Sequence, residues 1–190
     1  MQKKLTFIQG GIIMKKFVFC VVLLLIFASA ASAKPVGLKL SAAQFAKKYN
    51  QAVTKMDLSY KKEILISKGN PDYNKETKEH GIKWHIANGA VIYAIYMPDK
   101  QTIERLEYYA VKKQFKRGEP VAIIEGIIEG ISPKRFKPYE ISILAEELFT
   151  SSPNKLTIRT KFNVRYALIN NNLDGYVYAI ITNEKDPFDF

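Results

Sequence analysis

Cysteine is nearly absent from this chain: Cys20 is the only one among 190 residues. A lone thiol closes no intramolecular disulfide and assembles no cysteine-ligated metal site. Histidine is also scarce. His80 and His85 are five apart in a segment with strand periodicity, which points them to opposite faces and keeps both from one metal ion. The chain has no H-E-x-x-H, no G-x-S-x-G elbow and no glycine-rich phosphate loop after a strand. Those absences remove the familiar zinc peptidases, serine hydrolases and nucleotide binders, and no cofactor is expected. Acidic residues are outnumbered, 18 against 29 lysines and arginines, for a net charge of +11. The longest hydrophobic run, residues 17–27, falls short of the roughly 20 residues that a membrane-spanning helix needs.

That run has the context of a secretory signal. Lys15 and Lys16 precede it, it dissolves into alanine and serine, and Ala31-Ser32-Ala33 supplies the small residues of a cleavage site. The pattern predicts a leader and signal over residues 1–33, with initiation at Met14, and one domain over residues 34–190. Cys20 lies inside the run, preceded by Phe17, Val18 and Phe19, which is a poor setting for lipidation. Removing residues 1–33 takes away four lysines and no acid, so the domain stays basic. Its length suits a single core that must hold without covalent staples.

Within the domain, Ser41 with Gln44 makes a capping box, and Ala42, Phe45, Ala46, Tyr49, Ala52, Val53 and Met56 form one helical face. From Leu58 to Ser67 the period changes to two, which predicts a strand. Gly69-Asn70-Pro71-Asp72 then reads as a breaker and the polar stretch to Glu79 as a loop. Ile82, Trp84 and Ile86 alternate up to Asn88-Gly89, a hairpin signal, and residues 90–97 and 102–112 follow as strands.

Residues 120–131 predict a helix with five isoleucines on a broad arc and only Glu125 and Glu129 in water. Gly126 and Gly130 flank the arc. Each costs about 1 kcal/mol against alanine in a helix interior, so both call for a close neighbour, which we place in the following helix, residues 138–149. Residues 156–169 read as one long strand bent near residues 161–163, and residues 176–183 return beside it. The fold class expected is α+β: an antiparallel sheet of five to six strands, helices mainly on one face, in the order α-β-β-β-β-α-α-β-β.

Three features could carry chemistry. Basic residues cluster at Lys112, Lys113, Lys116 and Arg117 before the glycine-bearing helix and at Lys134, Arg135 and Lys137 after it. Arg159, Lys161 and Arg165 add a stripe along the long strand. Export disfavours nucleic acid, so these ten residues point to an anionic lipid or envelope polymer, with peripheral membrane contact once the signal is removed. Secondly, Glu125 and Glu129 lie one turn apart and would serve a small hydrolase if a cleft opened on them. Thirdly, Tyr93, Tyr96, Tyr108, Tyr109, Tyr166, Tyr176 and Tyr178, with Trp84, suit a covered sheet face or a ligand surface equally. The reading that follows is a binding module of the bacterial envelope (periplasm or outer cell surface) or the medium, with the hydrolase as its rival.

Overall fold

The computed structural model describes residues 36–86, 89–99, 101–111, 113, 118–132, 135–150 and 154–186. Contacts divide the chain after Lys34, and every element below belongs to the unit Pro35–Phe190. The signal-like run, Cys20 and the A-x-A site lie outside the described residues.

Helix α1 spans Ala42–Lys55 and opens as its sequence dictates. The Gln44 N–H donates to Ser41 Oγ at 3.2 Å and the Ser41 N–H donates to Gln44 Oε1 at 2.9 Å. Phe45, Tyr49, Ala52 and Val53 are buried along one side. The segment after it corrects the first expected strand: Lys61–Ile64 is a short 3₁₀ helix, and no strand forms there. The alternation had marked burial of Ile64 and Ile66 truly, but side chains of α1 have taken the backbone. Tyr49 donates to the Ile64 carbonyl at 2.9 Å, and Asn50 both accepts from the Ile66 N–H at 2.9 Å and donates to its carbonyl at 2.7 Å. With those groups satisfied, the segment has little need of a sheet partner.

The sheet is antiparallel, as expected for an α+β chain, but has seven strands where five to six were expected. They are β1 (Asn70–Asn74), β2 (Glu79–His85), β3 (Val91–Tyr96), β4 (Ile103–Val111), β5 (Leu156–Lys161), β6 (Val164–Asn171) and β7 (Tyr176–Asn183), in spatial order β1-β2-β3-β4-β7-β6-β5. β1 occupies the stretch read as breaker and loop. It is an edge strand, where half the backbone groups need no ladder partner and Pro71 is tolerated. β5 and β6 replace the single long strand, because the chain turns back within two residues, Phe162 at φ 53° and Asn163 at φ 65°. The β2–β3 hairpin closes where Asn-Gly predicted it, with Gly89 at φ 81°; Asn88 lies outside the described residues.

Helices α2 (Glu119–Ile131) and α3 (Pro138–Thr150) join α1 over one sheet face. Trp84, Ile92, Leu106, Tyr108, Val164, Tyr166, Leu168, Val177, Ala179 and Ile181 enter one core with the helices. The glycines of α2 do receive a close neighbour, but it is α1 and not the following helix. A Cβ on Gly126 would stand 2.9 Å from a ring carbon of Tyr49 and 3.0 Å from a Val53 methyl, and one on Gly130 would stand 3.2 Å from the Phe45 ring.

The other face is uncovered by any described element, yet Ile95, Ala167, Ile180 and Thr182 are buried on it. Long side chains lie across them. Arg105 pairs with Glu79 at 2.7 Å and Glu107 at 2.9 Å, and Lys83 pairs with Asp72 at 2.6 Å and sits 4.9 Å over the Tyr93 ring. The tyrosines therefore divide. Tyr108 and Tyr166 are in the core with Trp84, Tyr96 packs at its margin, and Tyr93, Tyr109, Tyr176 and Tyr178 line the uncovered face. Burial, then the carboxylates of Asp72, Glu79 and Glu107, push the Tyr93 hydroxyl up to about 12.

Candidate anion-binding cleft

The cleft begins with a segment that has no regular structure of its own. Residues 36–40 are laid along the start of β4, where the Leu38 N–H donates to the Ile103 carbonyl at 2.8 Å and the Ile103 N–H donates to that of Leu40 at 2.9 Å. From the far end of the chain, Asp186 accepts from the N–H groups of Val36 and Gly37, the latter at 2.9 Å, while Asn183 Nδ2 donates to the Gly37 carbonyl at 3.2 Å. Gly37 takes φ 65°, which lets the backbone turn into this clamp.

Between that segment, the C-terminal end of α2 and the β5–β6 turn lies a cleft of about 340 Å³. Leu38, Ile131, Phe162 and Val164 give it apolar walls, and Ser132, Asn163 and Asn183 line it with polar groups. Among the described residues its charged lining is of one sign: Lys39, Lys48 and Arg135. Arg135 is steadied by donating to the Phe162 carbonyl at 3.1 Å. Lys48 is half-buried on α1 and, like Lys39, has no carboxylate partner among the described residues. Tyr166, in the core and not in the cleft lining, carries a buried hydroxyl with no hydrogen-bond partner among the described residues. Burial pushes its pKa well above the phenol range, and the Arg135 charge offsets part of that rise.

Of the ten basic residues singled out in the sequence, Lys112, Lys116, Arg117 and Lys134 lie outside the described residues. Of the six that are described, only Arg135 lines the cleft. Lys113 is exposed, and Lys137 is exposed beside the Tyr139 ring at 5.9 Å. Arg159 is bound to Glu147 at 3.0 Å, Lys161 reaches Glu140 at 4.0 Å, and Arg165 donates to the carbonyls of Glu184 and Asp186. The expected stripe of Arg159, Lys161 and Arg165 does not exist. The two-residue turn pairs Lys161 with Val164, so Arg159 and Lys161 share the helix-side face with Tyr166 while Arg165 falls on the other. Lys39 was missed because it stands alone in the sequence and Lys48 because it has only Lys47 beside it; their company with Arg135 is supplied by the fold.

The rival site fares differently. Glu129 pairs with Lys55 at 3.7 Å, and neither it nor Glu125 lines the Lys39, Lys48 and Arg135 cleft, the hollow beside Met97 or the groove beside Ile143. His80 lies against the Tyr73 ring at 4.6 Å, His85 is exposed on the uncovered face, and no metal-holding group of three or more His, Asp or Glu occurs among the described residues. Among the described residues no helix is long and apolar enough to cross a membrane.

No family model matches the chain, and neither a curated protein nor a solved structure matches it. What the fold and the cleft define is an α+β domain with one sheet face under three helices and a small cationic cleft at the end of the central one. Function has to be argued from that cleft.

Proposed function

We propose that the protein is an exported binding module that holds a phosphate or carboxylate group of an envelope lipid or polymer in the Lys39, Lys48 and Arg135 cleft. The carrying observation is three cations around one concavity with no carboxylate among the described residues of its wall. The volume suits a head group or a chain end and little more.

The cleft sits at the C-terminal end of α2, whose negative pole attracts cations with no ligand present and would repel an anion by about 0.3–1 kcal/mol. Three unit charges about 5 Å from a bound anion offset this by about 2.5 kcal/mol even at the dielectric constant of water. The cations win, so the site is net anion-attracting.

The test is titration with pyrophosphate, with phosphatidylglycerol vesicles and with soluble polyglutamate, each at low and high salt, against neutral phosphatidylcholine vesicles. Binding to at least one anionic probe should weaken steeply with salt. Lys48→Glu and Arg135→Glu should each weaken it at least tenfold, and the preferred arm identifies the source of the group. Binding to none of them, or binding indifferent to both substitutions, would leave the cations as partners of the α2 terminus alone.

A further inference from the structure

The two edges of the sheet are not alike. β1 carries Pro71, which has no N–H to donate, and its Asp72 is engaged by Lys83, so that edge is blunted as edge strands commonly are. β5 is open. The turn at Phe162 and Asn163 makes Lys161 and Val164 the closing pair of the hairpin. The alternation of an antiparallel ladder then turns the amides of Thr157 and Arg159 towards β6 and those of Leu156, Ile158 and Thr160 outwards. No described residue adds a strand to that outer row; Arg159 Nη1 alone donates to the Ile158 carbonyl, at 3.0 Å.

Apolar surface gathers around this edge. Nine large apolar side chains are exposed among the described residues, and five of them, Tyr139, Ile143, Leu156, Ile158 and Phe162, border β5. Leu156 and Ile158 lie on the uncovered face of the sheet. Tyr139 and Ile143 stand on α3 across a groove of about 280 Å³ from Arg159 and Lys161. A strand paired on one side only, with apolar side chains beside its outer edge, is the arrangement that β-strand addition uses.

We propose that the outer edge of β5 receives an extended segment of another polypeptide as an eighth strand, one in which apolar side chains alternate with acidic ones. The apolar set would meet Leu156 and Ile158. The acidic set would meet the row of Arg159 and Lys161, with exposed Lys155 just before the strand; Glu147 stands 3.0 Å from Arg159 and Glu140 4.0 Å from Lys161. The same row rules against a second copy of β5. Antiparallel self-pairing joins residues of like parity, and every such register sets these cations opposite or diagonal to one another, which destabilises a cross-strand pair. This surface is separate from the cleft, and the proposal does not depend on it.

The test uses the domain as it is processed and two capped hexapeptides, one alternating valine with glutamate and one alternating valine with lysine, titrated by calorimetry and by amide chemical shifts. The glutamate peptide should bind at least tenfold more tightly, with shifts centred on Leu156, Ile158 and Thr160. Ile158→Pro removes one outward N–H without touching the β6 ladder and should abolish the difference; N-methylation of the peptide backbone should do the same with the protein unaltered. Equal binding of the two peptides, or binding that survives both N-methylation and Ile158→Pro, would overturn the proposal. Concentration-dependent dimerisation lost in Ile158→Pro would overturn it in favour of a second copy.

Discussion

Gly126 shows how one missing side chain fixes the approach of two helices. Tyr49 opposite it is fully buried and held by its hydroxyl to the Ile64 carbonyl, so the ring cannot retreat when a Cβ is placed 2.9 Å from it. Helix propensity favours replacing the glycine by about 1 kcal/mol with alanine and by somewhat less with leucine. Overpacking a held contact costs about 1–3 kcal/mol and more as the side chain grows. The contact term should win. With the propensity gain subtracted, Gly126→Leu is left with a net cost of up to about 2 kcal/mol and is expected to lower the melting temperature by up to about 8 °C, at about 2–4 °C per kcal/mol for a domain of this size. Glu125→Leu on the half-exposed side should stay within about 0.5 kcal/mol of the parent. Thermal unfolding of the pair decides it, and a Gly126→Leu protein as stable as the parent would mean that Tyr49 can yield. The glycines were legible in the sequence as contact positions because their cost had to be offset somewhere. Their partner was not, since a period of 3.6 reveals which face is buried and not which helix buries it.

Elements differed in legibility according to whether their signal was local. The capping box of α1, the isoleucine face of α2 and the Asn-Gly hairpin are written within a few residues and appear where expected. The strand expected over residues 58–67 failed because burial and hydrogen bonding came apart: Ile64 and Ile66 are buried, but Asn50 and Tyr49 hold their backbone. The β5–β6 turn failed for the opposite reason, since Lys-Phe-Asn-Val carries no glycine although both central residues take positive φ. Phe162 is held there in part by an edge contact with Phe136, ring centres 4.8 Å apart. Asn163 accepts the left-handed conformation at low cost, whereas a β-branched residue loses about 1–2 kcal/mol in it. Asn163→Val should therefore destabilise by about that amount while Asn163→Gly changes stability by less than about 0.5 kcal/mol. Equal chemical denaturation midpoints for the two variants would show that the turn residue is not what reverses the chain. The cleft was only one-third legible. Arg135 came from a sequence cluster, but Lys39 and Lys48 join it through the packing of residues 36–40 and α1.

At the scale of the molecule, the two ends of the folded unit are tied to each other, and that tie shapes the cleft. Asp186 is 5% exposed and spends both carboxylate oxygens on the N–H groups of Val36 and Gly37, with Asn183 holding the Gly37 carbonyl between them. Terminal segments fray unless something holds them. Here the held residues Gly37, Leu38 and Lys39 are also cleft wall. Asp186→Ala removes the acceptor from two amides. Val36 is exposed and its amide can turn to water, but that of buried Gly37 is left unsatisfied at a cost of about 1–3 kcal/mol. Asp186→Asn keeps one carbonyl oxygen and should lose about half as much. Amide hydrogen exchange at Gly37 and Leu38 should accelerate at least tenfold in Asp186→Ala, while the exchange of the central strands follows only the fall in global stability. Because Lys39, Lys48 and Arg135 are all retained, any loss of anion affinity in this variant reports the position of the wall and not its charge. Protection at Gly37 equal to the parent's, in a variant that remains folded, would show that the pairing of residues 38–40 with β4 holds the segment unaided.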